Sequence, residues 1–307
     1  MSDVGGPKTG LMNIGEEAKP PFAVLPDPST LFLSRAKRLE ALAADHPLEP
    51  YLRFLSTVTR AQHDIVPDLP AAALPAYDRI RQAFDYGMPP VAKAVFTPDE
   101  TTDVTIVRLL ERLKDAPLPD ATSKAITTQL NAARADRATI VTALLSDAPP
   151  IDAADIAERT LIAAGLQVHF SRLAAQFEAD KLKRISDGAC PVCGSLPMTS
   201  SVVGWPKAHN TRFCTCGLCA TMWNVVRVKC VLCSSTGGIA YRLIDGLPET
   251  VKAETCDTCE SYVKILYQVN DAALEPMADD VASLGLDVLM SEDGWKRGGH
   301  NPFLVGY

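Results

Sequence analysis

Apolar residues recur at spacings of three and four positions through most of residues 31–184, as they do in helices with one buried face. Prolines separate these runs: 17 of the 23 lie within residues 1–150, where each tends to end a helix because its ring removes a backbone donor. The pattern predicts six helices, over residues 31–44, 51–65, 77–86, 99–113, 121–145 and 152–184. Residues 1–28 are rich in glycine, proline and charge, which predicts a flexible tail.

The pattern changes after Arg184. Short runs rich in β-branched and aromatic residues predict strands at 199–205, 222–228, 238–244 and 262–268. Residues 271–290 again suit a helix, and a glycine-rich tail closes the sequence. The predicted fold class is α+β, with an all-α helical domain over 29–184, two small β modules over 185–228 and 229–270, and a C-terminal helix and tail over 271–307.

Composition narrows the classes of function. Hydrophobic residues make up 47% of the 307 and charged residues 22%, with a net charge of −7, which suits a soluble globular protein. Residues 185–307 carry 9 Lys and Arg against 13 Asp and Glu. A third hypothesis is that the β modules bind nucleic acid. Such binding needs a surplus of basic residues, which this region lacks, so we expect no nucleic-acid partner.

The sequence also bears on location. No apolar stretch is long enough for a transmembrane helix, and the first residues lack both the apolar core of a signal peptide and an Arg-Arg pair. We therefore expect a cytoplasmic protein without membrane insertion. Cytosolic thiols are kept reduced, so closely spaced cysteine pairs there more often bind metal or do redox chemistry than form disulfides.

The cysteines contain an internal repeat. Eight of the nine form four Cys-x-x-Cys pairs, which we call knuckles: Cys190/Cys193, Cys216/Cys219, Cys230/Cys233 and Cys256/Cys259. In both halves 22 residues separate the first knuckle from the second, and a shift of 40 positions superimposes the first four cysteines on the last four. The chain therefore duplicates one small module.

Each module has the spacing of a four-cysteine metal site. A hairpin in the spacer can bring its two knuckles together, so that four thiolates surround one metal ion at about 2.3 Å. The spacing therefore predicts that the eight knuckle cysteines hold two metal ions. Four thiolates suit zinc or iron, and the bare spacing favours zinc.

Two alternatives stay open at this point. The knuckles could be redox dithiols or buried thiols, although the repeated spacing then lacks an explanation. They could also pair in a cross-braced order instead of sequentially, but a duplicated unit should be self-contained, which favours the sequential order. The ninth cysteine, Cys214, lies too close to Cys216 for knuckle spacing. We interpret it as a bystander, with a redox or alternative-ligand role as the lesser hypothesis.

No other pattern predicts chemistry. The sequence lacks a phosphate-binding glycine loop, a Gly-x-Ser-x-Gly elbow and a His-Glu-x-x-His pair. His169 lies in a predicted helix and is interpreted as a packing residue. Asp279 and Asp280 are adjacent on a helix, so they should face different directions and not act as an acid/base pair. We therefore expect no enzyme.

Several ordered motifs go beyond the knuckles. The chain resembles the formate dehydrogenase accessory protein family, FdhE, in CPVCGSLP, RFCTCGLCATMWNVVRVKC, CDTCESYVKILYQ, ADDVASLGLD and the closing NPFL, and more weakly in PLEPYLRFL. The resemblance implies rubredoxin-like modules that hold two metal ions, and it favours iron over zinc. Their ligands would be the eight knuckle cysteines, with no role implied for Cys214.

The resemblance also implies a function. It suggests a cytoplasmic assembly factor that is needed for active formate dehydrogenase and contacts the catalytic subunit of the exported, molybdenum-dependent enzymes before or during twin-arginine transport. The alternative is a rubredoxin-like electron carrier, or a redox step in maturation, because iron held by four thiolates can cycle between ferric and ferrous states. Both hypotheses are compatible with a homodimer.

Overall fold

The computed structural model describes residues 20–147, 153–186, 188–246 and 249–304. Within these ranges the first part is helical, with α1 (Pro28–Ala43), α2 (Glu49–Ile65), α3 (Tyr77–Asp85), α4 (Glu100–Leu113), α5 (Asp120–Asn131), α6 (Arg134–Leu145) and α7 (Ala153–Ala174). Short 3-10 turns occur at Val66–Asp68, Lys93–Val95 and Ala179–Lys181. In the described part of the chain, no helix is both long enough and apolar enough to cross a membrane.

One predicted helix, over residues 121–145, is in fact two helices. The backbone is extended at Ala132 and Ala133, between α5 and α6. Arg137 on α6 donates to two carbonyls at the end of α5, both at 2.7 Å, and its guanidinium pairs with Asp103 of α4. A side chain from the next helix therefore satisfies carbonyls at the C-terminal end of α5 that have no donor within the helix. Neither Pro nor Gly marks the break in the sequence.

The C-terminal helix is also divided. The prediction over 271–290 corresponds to α8 (Pro276–Ala282) and α9 (Leu284–Glu292). Lys264 is completely buried, and its ammonium group donates to the carbonyls of Asp280 and Ser283 at 2.7 and 3.1 Å. These carbonyls lie at the end of α8, so a lysine from the sheet satisfies them where the helix stops.

The strands form one sheet. The first module contributes β2 (Pro197–Val203), β3 (Thr211–Cys216) and β4 (Met222–Val225), and the second contributes β5 (Ile239–Arg242), β6 (Val251–Cys256) and β7 (Ser261–Leu266). Pairing is antiparallel within each module, whereas the modules join through the parallel pair β2–β7. Two short strands complete the sheet: β1 (Ala23–Val24) pairs with β4, and β8 (Lys296–Arg297) pairs with β7.

The repeat in the cysteines is also a repeat in the strands. A shift of 40 positions carries β3 onto β6, and β5 and β7 fall at the places equivalent to β2 and β4. The strand order is β4-β3-β2-β7-β6-β5, so the two modules run in the same sense along the sheet. The first strand of one module therefore meets the last strand of the other.

Strands β3 and β6 lie outside the four predicted strands because they carry charged residues that the fold buries. Arg212 on β3 and Glu254 on β6 are 0% and 4% exposed, and two contacts of 2.8 Å join them. Arg212 also donates to the hydroxyl of Ser200 on β2, at 2.9 and 3.0 Å. This ion pair spans the β2–β7 junction and connects the two modules.

One hydrophobic core extends from the helices into the first module. It includes Phe32 of α1, Leu52 of α2 and Phe170 of α7, together with Val192 and Met198 of the first module. The predicted boundary between residues 184 and 185 therefore separates helix from sheet, but the two sides share a core.

The predicted flexible tail, residues 1–28, lies outside the described residues as far as residue 19. From there the chain is part of the fold, which corrects the prediction for that stretch. Ala23 pairs with Trp223 on β4 and is only 3% exposed. The carbonyl of Phe22 also accepts a hydrogen bond from the Asn224 backbone at 2.7 Å.

We expect the Glu254→Leu variant to lose about 3–5 kcal/mol of its free energy of unfolding in urea, because the Arg212 guanidinium is left buried without a counter-ion. The double variant Arg212→Met, Glu254→Leu should recover most of that loss, since no charge then remains buried. Equal instability of the single and double variants would show that an unpaired buried guanidinium is not the cause of the loss.

Candidate metal centres

The structure brings the cysteines of the first module together. Cys190 and Cys193 lie in the turn before β2, whereas Cys216 ends β3 and Cys219 lies in the turn that follows. The sulfur atoms of Cys190 and Cys219 are 3.5 Å apart, and those of Cys193 and Cys216 are 3.4 Å apart. All four sulfurs lie within 4.8 Å of one another. We call this set the first sulfur group.

The second module repeats the arrangement. The sulfur atoms of Cys230 and Cys259 are 3.8 Å apart, and those of Cys233 and Cys256 are 3.7 Å apart. These four also lie within 4.8 Å of one another and form the second sulfur group. The knuckles thus meet within each module, in the sequential order and not in the cross-braced one.

The spacing of the sulfurs suits a metal ion and not disulfides. A disulfide needs sulfurs about 2.05 Å apart. Four sulfurs at about 2.3 Å from one ion, in tetrahedral geometry, lie about 3.8 Å from each other. The second group matches that separation, and the first group, at 3.4 and 3.5 Å, is slightly more compact. Four thiolates in this arrangement fit either zinc or iron.

The knuckle backbone also supports negatively charged sulfurs. The amides of Leu232 and Cys233 donate to the Cys230 sulfur at 3.4 and 3.5 Å, and the amide of Cys219 donates to the Cys216 sulfur at 3.4 Å. Such bonds favour a thiolate over a neutral thiol. Metal ligation requires the thiolate form.

The residue after each knuckle adopts a left-handed backbone. The φ angles are +79° at Gly194, +59° at Ala220, +67° at Ser234 and +52° at Glu260. Glycine adopts this conformation at no steric cost, and Gly194 is the one glycine among the four. The other three knuckles make the same turn with residues that carry a Cβ atom, which sequence inspection does not reveal.

The ninth cysteine belongs to neither group. Cys214 lies on β3, is completely buried and is part of the hydrophobic core. Burial raises the pKa of its thiol to about 12, so the thiol is neutral at physiological pH. These observations agree with its interpretation as a bystander.

His169 packs in the helical part of the core. It is 1% exposed, and its ring lies 5.8 Å from the ring of Phe96. Its Nε2 atom lies 3.3 Å from the hydroxyl of Thr102. Burial lowers the pKa of His169 to about 4, so the ring is neutral at physiological pH. The residue belongs to neither sulfur group.

A buried cluster of charged side chains, which the sequence did not predict, lies beside the second module. Lys264 of β7 lies between Asp280 of α8 and Asp287 of α9, and Arg297 of β8 pairs with both carboxylates. Burial opposes ionisation of Asp280, but the charges of Arg297 and Lys264 hold its pKa below the usual value. The cluster balances two cations with two anions, so it joins the sheet, α8, α9 and the C-terminal segment.

Asp279 and Asp280 face different partners, as their adjacent positions predict. Asp279 pairs with Arg38 of α1 at 2.6 Å, whereas Asp280 pairs with Arg297 at 2.5 Å. The two carboxylates therefore serve two separate contacts.

Comparison with known proteins identifies the family of the chain. The family model described as FdhE, N-terminal, matches residues 20–187, the FdhE central domain matches residues 189–227, and the FdhE C-terminal domain matches residues 228–304. A protein named FdhE homolog from Rhizobium meliloti is 40% identical over 297 residues, which cover 96% of each chain. Protein FdhE from Escherichia coli K12 is 34% identical over 292 residues, which cover 92% of this chain and 91% of the relative.

A solved structure gives the same result. The crystal structure of the FdhE protein from Pseudomonas aeruginosa superimposes with a TM-score of 0.83 and 32% sequence identity. The match covers 93% of this chain and 99% of that one. The chain therefore belongs to the FdhE family, the formate dehydrogenase accessory proteins that its motifs resemble.

Proposed function

We propose that this protein is a cytoplasmic accessory factor that is required to form active formate dehydrogenase, that binds the catalytic subunit of that enzyme, and that is not itself an enzyme. Family membership over nearly the whole chain carries the proposal. The two four-cysteine groups and a concentration of exposed apolar side chains support it.

Each sulfur group would hold one metal ion through its four thiolates. The ligands would be Cys190, Cys193, Cys216 and Cys219 in the first group, and Cys230, Cys233, Cys256 and Cys259 in the second. The resemblance to the family favours iron in rubredoxin-like modules, and four thiolates also suit zinc. In both cases the ion would fix two turns of its module in place.

The most concentrated exposed apolar surface supports binding of a protein partner. Of the ten large apolar side chains exposed in the described part of the chain, four lie between residues 77 and 95. Tyr86, Met88 and Val95 are 75%, 55% and 78% exposed, and they surround a groove of about 620 Å³ between α3 and residues 88–96. Clustered apolar exposure of this kind is typical of interaction sites.

The charged residues that line the groove indicate which kind of protein segment it would bind. Arg79 lines the groove, and its guanidinium makes no hydrogen bond or ion pair with the described residues. The other charged residue of the lining, Asp99, is engaged as the cap of α4. The groove therefore suits an apolar segment of the catalytic subunit with an acidic residue placed to meet Arg79.

One observation favours the second hypothesis, a redox role. Cys233 of the second group is exposed, so an electron partner could approach that metal closely. Iron held by four thiolates changes between ferric and ferrous states, whereas zinc does not. Protein purified without oxygen should then show a visible absorption band that bleaches reversibly on reduction. A colourless protein filled with zinc would exclude this hypothesis.

We expect Cys190→Ser protein to bind one metal ion per chain where wild-type protein binds two, because a group of three thiolates and a hydroxyl holds metal weakly. The first module should also lose order, visible as faster amide exchange in β2 and β3. Cys214→Ala is the matched control and should keep two ions, since Cys214 lies outside both groups. Elemental analysis of full-length protein tests this. Two ions in Cys190→Ser would mean that Cys190 is not a ligand.

We expect the triple variant Tyr86→Ser, Met88→Ser, Val95→Ser to bind a formate dehydrogenase catalytic subunit at least about tenfold more weakly than wild type, because exposed apolar anchors contribute much of an interface energy. Arg79→Glu should weaken binding as well, through repulsion of the acidic residue. All four positions are exposed, so metal content and urea stability should be unchanged.

The matched control for this binding experiment is the double variant Val226→Ser, Val228→Ser. These side chains are 57% and 60% exposed, but they lie far along the chain from the groove, between β4 and Cys230. The control should bind the catalytic subunit as tightly as wild type. Equal affinities for the triple variant and the control would rule out the groove, and no binding by wild-type protein would rule out the proposed function.

A further inference from the structure

The two sulfur groups share a framework but differ in exposure. In the first group the four cysteines are between 0% and 1% exposed, and all belong to the hydrophobic core. In the second group Cys230 and Cys256 are also buried, but Cys233 is exposed and Cys259 is half-buried. None of the three hydrophobic clusters contains a cysteine of the second group.

The repeat shows how the difference arises. In the first module the residues between and after the cysteines of the second knuckle are small or apolar. Their sequence is CGLCA at 216–220, and Gly217 is buried. The equivalent stretch of the second module is CDTCE at 256–260, where Asp257, Thr258 and Glu260 are exposed. The duplicated cage is therefore kept, while the residues of its second knuckle have changed from core-forming to solvent-facing.

Other parts of the chain cover the first group. The amides of Val91 and Lys93 donate to the carbonyls of Val192 and Cys193 at 3.0 and 2.9 Å, so residues 88–96 lie across the first knuckle. The buried amide of Gln167 on α7 donates to the carbonyl of Gly217 in the second knuckle at 2.9 Å. To reach a metal there, a ligand from solution would have to displace this cover and open the shared core.

The second group lacks such a barrier on the side of Cys233. The neighbouring residues Thr236, Gly237 and Gly238 are exposed, as are Asp257 and Thr258 of the other knuckle. A small thiol or chelating molecule could therefore contact a sulfur, and then the ion, without opening the fold. Exchange that needs no unfolding is much faster than exchange that requires it.

We propose that the second sulfur group is a metal-exchange site, which releases and takes up its ion by direct contact with thiol or carboxylate ligands from solution, while the first group retains its ion as part of the core. Exchange transfers the ion from four protein thiolates to the donor atoms of the incoming ligand, and the freed thiolates take up protons from water. The exposed carboxylates of Asp257 and Glu260 would attract a divalent cation to this site in the reverse direction. The proposal rests on the metal ligation proposed above.

Full-length protein loaded with Zn²⁺ tests the proposal, using excess EDTA together with N-ethylmaleimide under native conditions. We expect one zinc ion per chain to leave at least about tenfold faster than the other, because only one site is open to solvent. Mass spectrometry of timed samples should find Cys233 and Cys259 alkylated during the fast phase. Cys190 and Cys219 should become alkylated only in the slow phase.

Cys214 provides an internal control. It is completely buried and free of both groups, so its alkylation reports opening of the core itself. It should remain unlabelled throughout the fast phase. The variant Cys233→Ser should lose the fast zinc and keep the slow one, because only the second group loses a ligand.

Three results would overturn the inference: loss of both ions in a single phase, alkylation of the first group as fast as Cys233, or alkylation of Cys214 together with Cys233. A fast zinc that persists in Cys233→Ser would do the same. Failure of the wild-type chain to bind zinc at all would instead refute the proposed ligation, so the two failures are distinguishable.

Discussion

The knuckles of the first module turn in the interior of the protein, where every backbone carbonyl needs a hydrogen-bond donor. Val91 and Lys93 supply donors from the segment after α3, and Gln167 supplies one from α7. The helical part is therefore attached to the first sulfur group through the backbone of the knuckles. Because the knuckle carbonyls need these donors, the helices and the first module share a core. The same hydrogen bonds hold residues 88–96 in place beside an open groove.

Duplication produced two similar modules with different surroundings. Both keep the two knuckles, the 22-residue spacer and the left-handed residue after each knuckle. The difference lies mainly in the second knuckle, which carries small or apolar residues in the first module, whereas Asp257, Thr258 and Glu260 face solvent in the second. The same sulfur cage thus occupies a fully buried site and one that is open to solvent on one side. The chemistry of a metal–thiolate centre depends on that difference as much as on its ligands.

Buried ion pairs, and not apolar contacts alone, connect the modules to each other and to the C-terminus. Arg212 and Glu254 join β3 to β6 across the parallel junction, and Lys264 joins β7 to α8 and α9. Parallel pairing without a connecting helix is uncommon, because parallel strands are normally joined by long crossovers. Here the chain between β2 and β7 contains the other four strands of the two modules, and charged side chains fix how the modules meet.

The sequence by itself determined the features that depend on local spacing. Knuckle spacing and the 40-residue repeat gave the two groups of four cysteines, and apolar periodicity gave the helical first part, because each of these patterns is written in neighbouring residues. Only the tertiary structure decided the rest. Arg212 and Glu254 look like solvent-facing residues until they meet, so β3 and β6 were missed, and Arg137 divides a helix with a contact that only folding creates. The unequal exposure of Cys193 and Cys233 depends on which distant segments cover each knuckle, and no local pattern encodes that.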